Sequence, residues 1–181
     1  VLFQQNGLPD KIFQYTYGSD FTNLHYVTDA SSANKCLITG KNETDNNASV
    51  DYVLVPQPAL TGGLAKNTNA KQYKNVQEDY KAKSGGLEIT QASVFVNNNA
   101  NKDAVNHFLY SIQNSVTSLL ANPTYVQEVT ADMEDEQVSA KFGTTAAMLV
   151  KVLRDNSLGL GFKKASENAD AITNFLYSLG F

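Results

Sequence analysis

Two short apolar runs restrict the possible fold most strongly, because each one stops at residues that end a strand. The first, Val50-Asp51-Tyr52-Val53-Leu54-Val55, stops at Pro56, and the second, residues 91–96, stops at three asparagines. Runs of this length and composition are typical of strands buried in a parallel sheet. Helical spacing follows each of them, so the alternation indicates an α/β fold.

The rest of the chain predicts further elements around these two strands. Apolar residues recur at helical spacing from residue 105 to residue 120, which predicts an amphipathic helix over residues 103–121. We also expect polar loops over residues 41–49 and 67–86. The other predicted strands are 12–17 and 24–27, and the other predicted helices are 1–5, 32–39, 56–66, 125–130, 136–153 and 167–179.

Composition excludes several classes of protein. The chain has 181 residues and 42% hydrophobic residues, which is enough for a buried core without disulfides or metals. No apolar run approaches the roughly 18 residues of a membrane span. The net charge of −4 argues against a nucleic-acid partner, since phosphate binding needs a basic face. A single arginine, Arg154, rules out an anion site built from several arginines.

The residue types that carry metal or nucleophilic chemistry are sparse. His25 and His107 lack the spacing of metal ligands, and Cys36 lies about one turn inside a predicted helix, where a buried thiol is the simpler interpretation. The acidic run 132–136 falls at a predicted helix start, where carboxylates favour the positive end of the helix dipole. We therefore expect no metal, no cofactor and no catalytic residue.

Two polar features are better candidates for a binding site. Residues 28–32, Thr-Asp-Ala-Ser-Ser, lie where a strand gives way to a helix, and free N–H groups there suit an anion or polar ligand. Ordinary capping of the helix explains the same residues equally well. Gln57 lies between Pro56 and Pro58 at the carboxyl end of a strand, the edge where open α/β sheets bind ligands. A strand-to-helix turn without a ligand is the alternative.

The string from Val50 to Thr61, VDYVLVPQPALT, resembles a segment of the substrate-binding proteins of ABC transporters, in the nitrate, sulfonate, taurine and thiamine-pyrimidine group. Thr39-Gly40-Lys41 before it, the strand 91–96 after it and Ala121-Asn122-Pro123 match that family in order, and residues 1–8 resemble a helix of its second lobe. Gln57 stands where the family has glutamate. Residues 18–24 and 42–49 look like insertions.

The resemblance implies a fold of the periplasmic-binding-protein type II class, an α/β fold with two three-layer lobes and mixed sheets. Residues 1–85 would be most of lobe two, and residues 86–181 would be the returning, helix-rich part of an incomplete lobe one. It implies a monomeric importer component, outside the cytoplasm as a lipoprotein or periplasmic protein. This component would close around a small polar or anionic solute and present it to a membrane permease.

The resemblance also implies roles for single residues and leaves two alternatives open. Thr28, Ser31 and Ser32 would donate hydrogen bonds to the solute, Gln57 would be the polar contact from lobe two, and Tyr26 would form a wall. The alternatives are an enzyme similar to the thiamine-pyrimidine synthases, which use histidine, cysteine and iron, and the ligand-sensing effector domain of a transcription regulator.

Overall fold

The structure is a computed structural model that describes residues 1–18 and 24–181. The predicted α/β fold of the periplasmic-binding-protein type II class, with two lobes and mixed sheets, is wrong. The described residues are 52% helical, and their regular strands form only a two-stranded antiparallel sheet. Most of the predicted insertion at 18–24 lies outside the described residues.

The described residues form nine α-helices, one 3-10 turn and one hairpin. In chain order these elements are α1 Leu8–Tyr17, α2 Ala30–Thr39, β1 Lys41–Asn42, β2 Ala48–Ser49, α3 Ala59–Lys66, α4 Val76–Lys83, α5 Lys102–Ala121, α6 Tyr125–Val129, α7 Asp135–Phe142, α8 Ala146–Arg154, the 3-10 turn Ala165–Glu167 and α9 Ala169–Ser178. No described helix is both long enough and apolar enough to cross a membrane.

The chain divides into two compact units, which are described separately below. Unit 1 comprises residues 1–91 and 164–181, and unit 2 comprises residues 92–163. The sequence predicts a boundary between residues 85 and 86 for the two lobes of a binding protein, and that assignment stays a prediction.

Helix α1 of unit 1 replaces the predicted strand over 12–17. The predicted helix over 1–5 is also wrong, because residues 1–7 contain no helix and Leu2 forms a bridge. Gly7 is the N-cap of α1, Pro9 lies in its first turn, where the missing N–H costs nothing, and Asp10 lies at the positive end of its dipole. Ile12 and Thr16 are buried at helical spacing. The alternation of aromatic residues over 12–17 is therefore carried by a helix.

The next two helices of unit 1 confirm their predictions. Helix α2 is capped at its start by Asp29 and ends at Gly40, whose φ of 69° is in the left-handed region that favours glycine. Helix α3 follows Pro58 and ends at Lys66. The predicted loop 41–49 instead contains the β1–β2 hairpin, in which Lys41 pairs with Ser49.

Between these helices, three short segments of unit 1 run side by side. Leu2 and Tyr26 form a parallel bridge, in which the Leu2 N–H donates to His25 and the Val27 N–H donates to Leu2, both at 2.8 Å. The Val1 nitrogen donates to the Tyr52 carbonyl at 2.7 Å, and the Leu54 N–H donates to the Val1 carbonyl at 2.9 Å. In a parallel pair, a residue bonds to the two residues on either side of the one opposite it, and both Val1 and Leu2 do so here.

We call this arrangement of residues 1–2, 25–27 and 52–54 the parallel ladder. Each neighbouring pair shares two backbone hydrogen bonds, so no segment reaches the length of a regular strand. The predicted strands 24–27 and 50–55 are therefore wrong as regular strands, although parts of both belong to the ladder. Segment 1–2 lies between the other two.

Two apolar clusters hold unit 1 together. The first contains Val27, which ends one segment of the ladder, and Val55, which directly follows another. Both belong to one cluster with Ala33, Cys36 and Leu37 of α2. The second joins Ile12 of α1 to Tyr80 of α4 and to Phe175 and Leu179 at α9. The predicted loop 67–86 is wrong over α4, because Tyr80 is fully buried and its hydroxyl lies 2.7 Å from Ser178 Oγ. The predicted helix 167–179 is confirmed by α9.

Unit 2 is helical and has a small core. That core joins Val126 of α6 to Leu149, Val150 and Leu153 of α8. Helices α5 and α6 confirm their predictions. The single helix predicted over 136–153 is wrong, since Gly143, with φ of 71°, ends α7 before α8 begins. The predicted strand 91–96 is also wrong, because these residues lie in no helix, strand or turn and are exposed.

Candidate functional site

The parallel ladder brings three polar segments to one edge. Parallel segments present their carboxyl ends on the same side, and in open parallel sheets ligands bind outside those ends. Here residues 3–7 follow the central segment, residues 28–32 follow one neighbour and residues 55–57 follow the other. Since neighbouring segments of a ladder lie about 4.8 Å apart, the outer two lie roughly 10 Å apart. We call these three groups of residues the carboxyl edge.

Three of residues 28–32 make contacts at the start of α2. The Ser32 N–H donates to Asp29 Oδ1 at 2.7 Å, and Thr28 Oγ1 lies 3.1 Å from Ser32 Oγ. Ser31 is exposed and Ser32 is half-buried. The structure therefore brings Thr28 and Ser32 into contact with each other. Their assignment to a ligand stays a prediction.

Asp29 also decides the charge at this helix start. The hydrogen bonds from Ser32, through its backbone N–H first and its side chain second, lower the pKa of Asp29 below its ordinary value. The carboxylate therefore stays ionised at neutral pH and lies where an anionic ligand would meet the free N–H groups. This helix start is consequently a poor anion site.

Tyr26 turns its hydroxyl towards α1. It donates to Asp10 Oδ1 at 3.1 Å, and Asp10 also accepts from the Asn6 N–H at 3.0 Å and from Gln14 Nε2 at 3.2 Å. Asp10 is only 2% exposed. Burial raises the pKa of the Tyr26 hydroxyl, and the bond to Asp10 acts in the same direction. These bonds tie the segment 25–27 to the residues that follow the central segment.

Gln57 caps a helix with one polar atom of its side chain and keeps the other polar atom free. It is half-buried, and its Oε1 accepts from the Thr61 N–H at 3.2 Å and from Thr61 Oγ1 at 2.8 Å. Its Nε2 has no hydrogen-bond partner in residues 1–18 or 24–181. The side chain therefore caps the first turn of α3 with its oxygen and leaves its amide nitrogen as an oriented donor.

Sequence reasoning missed the middle of the carboxyl edge, residues 3–7. The Gln4 side chain lies across Gly7, where an added Cβ would come within 2.5 Å of Gln4 Cδ. The missed signal was Gly7-Leu8-Pro9-Asp10, since a proline and an acidic residue directly after a glycine mark a helix start. Reading that start correctly would have left Val1-Leu2-Phe3 as a short strand-like segment.

The histidine and cysteine residues that an iron-dependent enzyme would need do not cluster at the carboxyl edge. Cys36 lies in the first apolar cluster, and burial raises the pKa of its thiol, which disfavours the reactive thiolate. His25 Nδ1 lies 2.9 Å from Asp45 Oδ2, and both side chains are exposed. Across the described part of the chain, no three His, Cys, Asp or Glu side chains are close enough together to hold a metal ion.

Two other polar features are explained by helix starts. The acidic run includes Glu134, which forms a capping box with Gln137 at α7, as the sequence indicated for a helix start. A shallow pocket is lined by Ser166 to Ala171. Those six consecutive residues span the beginning of α9, and none of the predicted site residues lines the pocket.

Comparisons of the chain with protein-family models, with curated proteins and with solved structures found no match. The resemblance of residues 50–61 to the substrate-binding proteins thus stays a prediction.

Proposed function

We propose that unit 1 binds a small polar solute at the carboxyl edge. The observation that carries the proposal is the Gln57 amide, whose oxygen is held by Thr61 while its nitrogen remains a donor. A donor that is already oriented loses little conformational freedom when a ligand arrives. The Thr28, Ser31 and Ser32 hydroxyls supply further polar atoms across the ladder from Gln57.

The charge at the edge favours an uncharged solute over an anion. Asp29 keeps a negative charge beside Ser31 and Ser32, and the family's glutamate is replaced by neutral Gln57. Gln57 Nε2 can only donate, so the matching atom of the ligand is a hydrogen-bond acceptor. The Asp29 charge at the same edge then favours a neutral acceptor, such as a carbonyl oxygen, over an anionic one. An amide or a pyrimidine carbonyl meets this requirement.

The proposed mechanism is binding alone, with no bond broken in the solute. Asp10 holds Tyr26 and Asn6, which fixes two of the segments that border the edge. Closure of two lobes is no part of this mechanism, since it belongs to the fold that the structure contradicts. Delivery of the solute to a membrane permease, from outside the cytoplasm, completes the proposal and rests on the sequence resemblance.

A thermal-shift screen of the whole chain tests the proposal. Uracil and cytosine serve as neutral solutes, and nitrate and methanesulfonate serve as anions. A ligand present at a hundred times its dissociation constant stabilises the folded state by about 2.7 kcal/mol. Stabilisation by a pyrimidine supports the proposal, stabilisation by anions alone contradicts the ligand class, and no shift with any solute contradicts binding at this edge.

The variant Gln57→Glu separates binding from capping for any solute that shifts the melting temperature. Glutamate keeps an oxygen for the Thr61 N–H and hydroxyl but loses the Nε2 donor. We expect the affinity to fall about tenfold, or roughly 1–1.5 kcal/mol, with the melting temperature of the free protein nearly unchanged. Gln127→Glu, an exposed change of the same kind in unit 2, is the control. Equal affinities for both variants would contradict the role of Gln57.

A further inference from the structure

We call residues 92–97 of unit 2 the unpaired segment. Within the described chain, none of their backbone N–H groups donates a hydrogen bond, and none of the carbonyls of residues 92–96 accepts one. These residues lie in no helix, strand or turn. Phe95 is 93% exposed, and Val94 and Val96 are 56% and 47% exposed. Valine and phenylalanine are enriched in strands, where they pack against the side chains of neighbouring strands. The segment therefore has strand-forming residues without a strand partner.

The residues around the unpaired segment lack the features that keep strand edges apart. Natural sheet edges are protected by lysine, by proline or by inward-pointing charges. Between Glu88 and Lys102 the chain has no charged residue and no proline. Nothing in this stretch opposes the approach of another strand.

Unit 2 also leaves apolar surface uncovered on α5. This helix of 20 residues has no buried residue, and its apolar stripe is at best half-covered at Val105, Leu109 and Ile112. Phe108 on the same helix is 56% exposed. Exposed apolar surface of this kind marks interaction sites on soluble proteins. The unpaired segment and α5 thus both present exposed apolar side chains in unit 2.

We propose that the unpaired segment pairs with the same segment of a second copy of this chain, antiparallel and about a two-fold axis. In an antiparallel pair of identical strands about a two-fold axis, both copies contribute the same donors and acceptors, so the contact is symmetric and joins two chains. Like charges placed opposite each other would destabilise such a pair. The uncharged stretch 89–101 avoids that repulsion, which is why a second copy suits this segment.

The oligomeric state of the whole chain tests the proposal. Sedimentation equilibrium over a range of concentrations should show a monomer–dimer equilibrium for the unmodified protein. The variant Phe95→Lys places a charge in each copy near the axis and should weaken the dimer at least tenfold. Tyr177→Lys, at an exposed aromatic residue of unit 1, should leave the dimer unchanged.

A second pair of variants separates backbone pairing from apolar contact. Val94→Pro removes one N–H donor, whereas Val94→Ala only shortens the side chain, so proline should weaken the dimer more than alanine does. Both should fold, because the Val94 backbone makes no bond within the described chain. Hydrogen exchange at residues 94–96 should slow as the protein concentration rises.

Three results would overturn the proposal. The first is a monomer at every concentration up to about 1 mM, which would correspond to a binding free energy weaker than about −4 kcal/mol. The second is a dimer that Phe95→Lys and Val94→Pro leave intact. The third is exchange at residues 94–96 that stays fast in a dimer.

Discussion

Helices α2 and α3 both begin at the carboxyl edge, and they are capped by side chains of different charge. At α2 the Asp29 carboxylate accepts from the Ser32 N–H, and at α3 the Gln57 amide oxygen accepts from the Thr61 N–H. A carboxylate can only accept, whereas an amide accepts with its oxygen and still donates with its nitrogen. The two helix starts therefore meet the same local demand, but only at the second does the capping side chain itself still carry a donor.

The difference shows that a helix cap and a ligand-binding residue need not be alternatives. For residues 28–32 the capping interpretation accounts for the Asp29 contact, and its charge repels anions. For Gln57 the capping contact is what orients the free nitrogen. Changes to the support beneath both helix starts, to the amide cap and to the carboxylate cap should therefore have different effects on stability.

The largest effect is expected for Asp10, which supports the edge between the two helix starts. Asp10→Ala removes the acceptor of the Asn6 N–H, Gln14 Nε2 and the Tyr26 hydroxyl. Leaving part-buried donors unsatisfied should lower the free energy of unfolding by about 2–3 kcal/mol. Urea denaturation followed by circular dichroism measures this loss.

Two variants serve as controls for Asp10. Tyr26→Phe removes only one of the three bonds and should cost about 1 kcal/mol. Asp170→Ala, at an exposed acidic residue in the first turn of α9, should cost less than either. A loss for Asp10→Ala no larger than that for Asp170→Ala would show that Asp10 does not support the edge.

A smaller effect is expected for the amide cap. Gln57→Ala removes both bonds to Thr61, whereas Thr61→Val removes only the hydroxyl bond and keeps the backbone N–H cap. We expect a loss of about 1 kcal/mol for Gln57→Ala and about half of that for Thr61→Val. Chemical denaturation of both variants checks the order, and equal losses would mean that the N–H bond to Gln57 contributes nothing.

The sequence predicted the helices that have local signals. Thr28 to Ser32 and Gly40 mark the two ends of α2, and the repeated apolar spacing of α5 identifies that helix without any tertiary contact. Gln57 at the carboxyl edge was also found from local signals, because prolines on both sides of a polar residue after an apolar run indicate a turn at a strand end.

The sequence did not predict the elements that depend on distant partners. Segment 1–2 bonds to residues 25–27 and 52–54, far along the chain, and the alternation over 12–17 gave no sign that α1 packs against Tyr80. Residues 91–96 have a strand-like composition but no strand partner, and composition alone cannot supply one. The α/β fold was predicted from such runs, and the prediction was wrong because residues 91–96 have no neighbouring strand to pair with.

The smallest effect is expected for the pH dependence of the carboxylate cap. The pKa of Asp29 is lower in the folded state than its ordinary value, so the stabilisation is present above the unfolded pKa and is lost as the pH falls through the folded pKa. Asp29→Asn keeps a capping oxygen without a titrating proton. Its melting temperature should therefore fall less than that of the unmodified protein between about pH 5 and about pH 3.

The Gln57 cap does not titrate, so the melting temperature of Gln57→Ala should fall in parallel with that of the unmodified protein over the same range. Parallel curves for Asp29→Asn as well would mean that the Asp29 charge does not stabilise α2, and the contrast between the two helix starts would then reduce to the free amide nitrogen of Gln57.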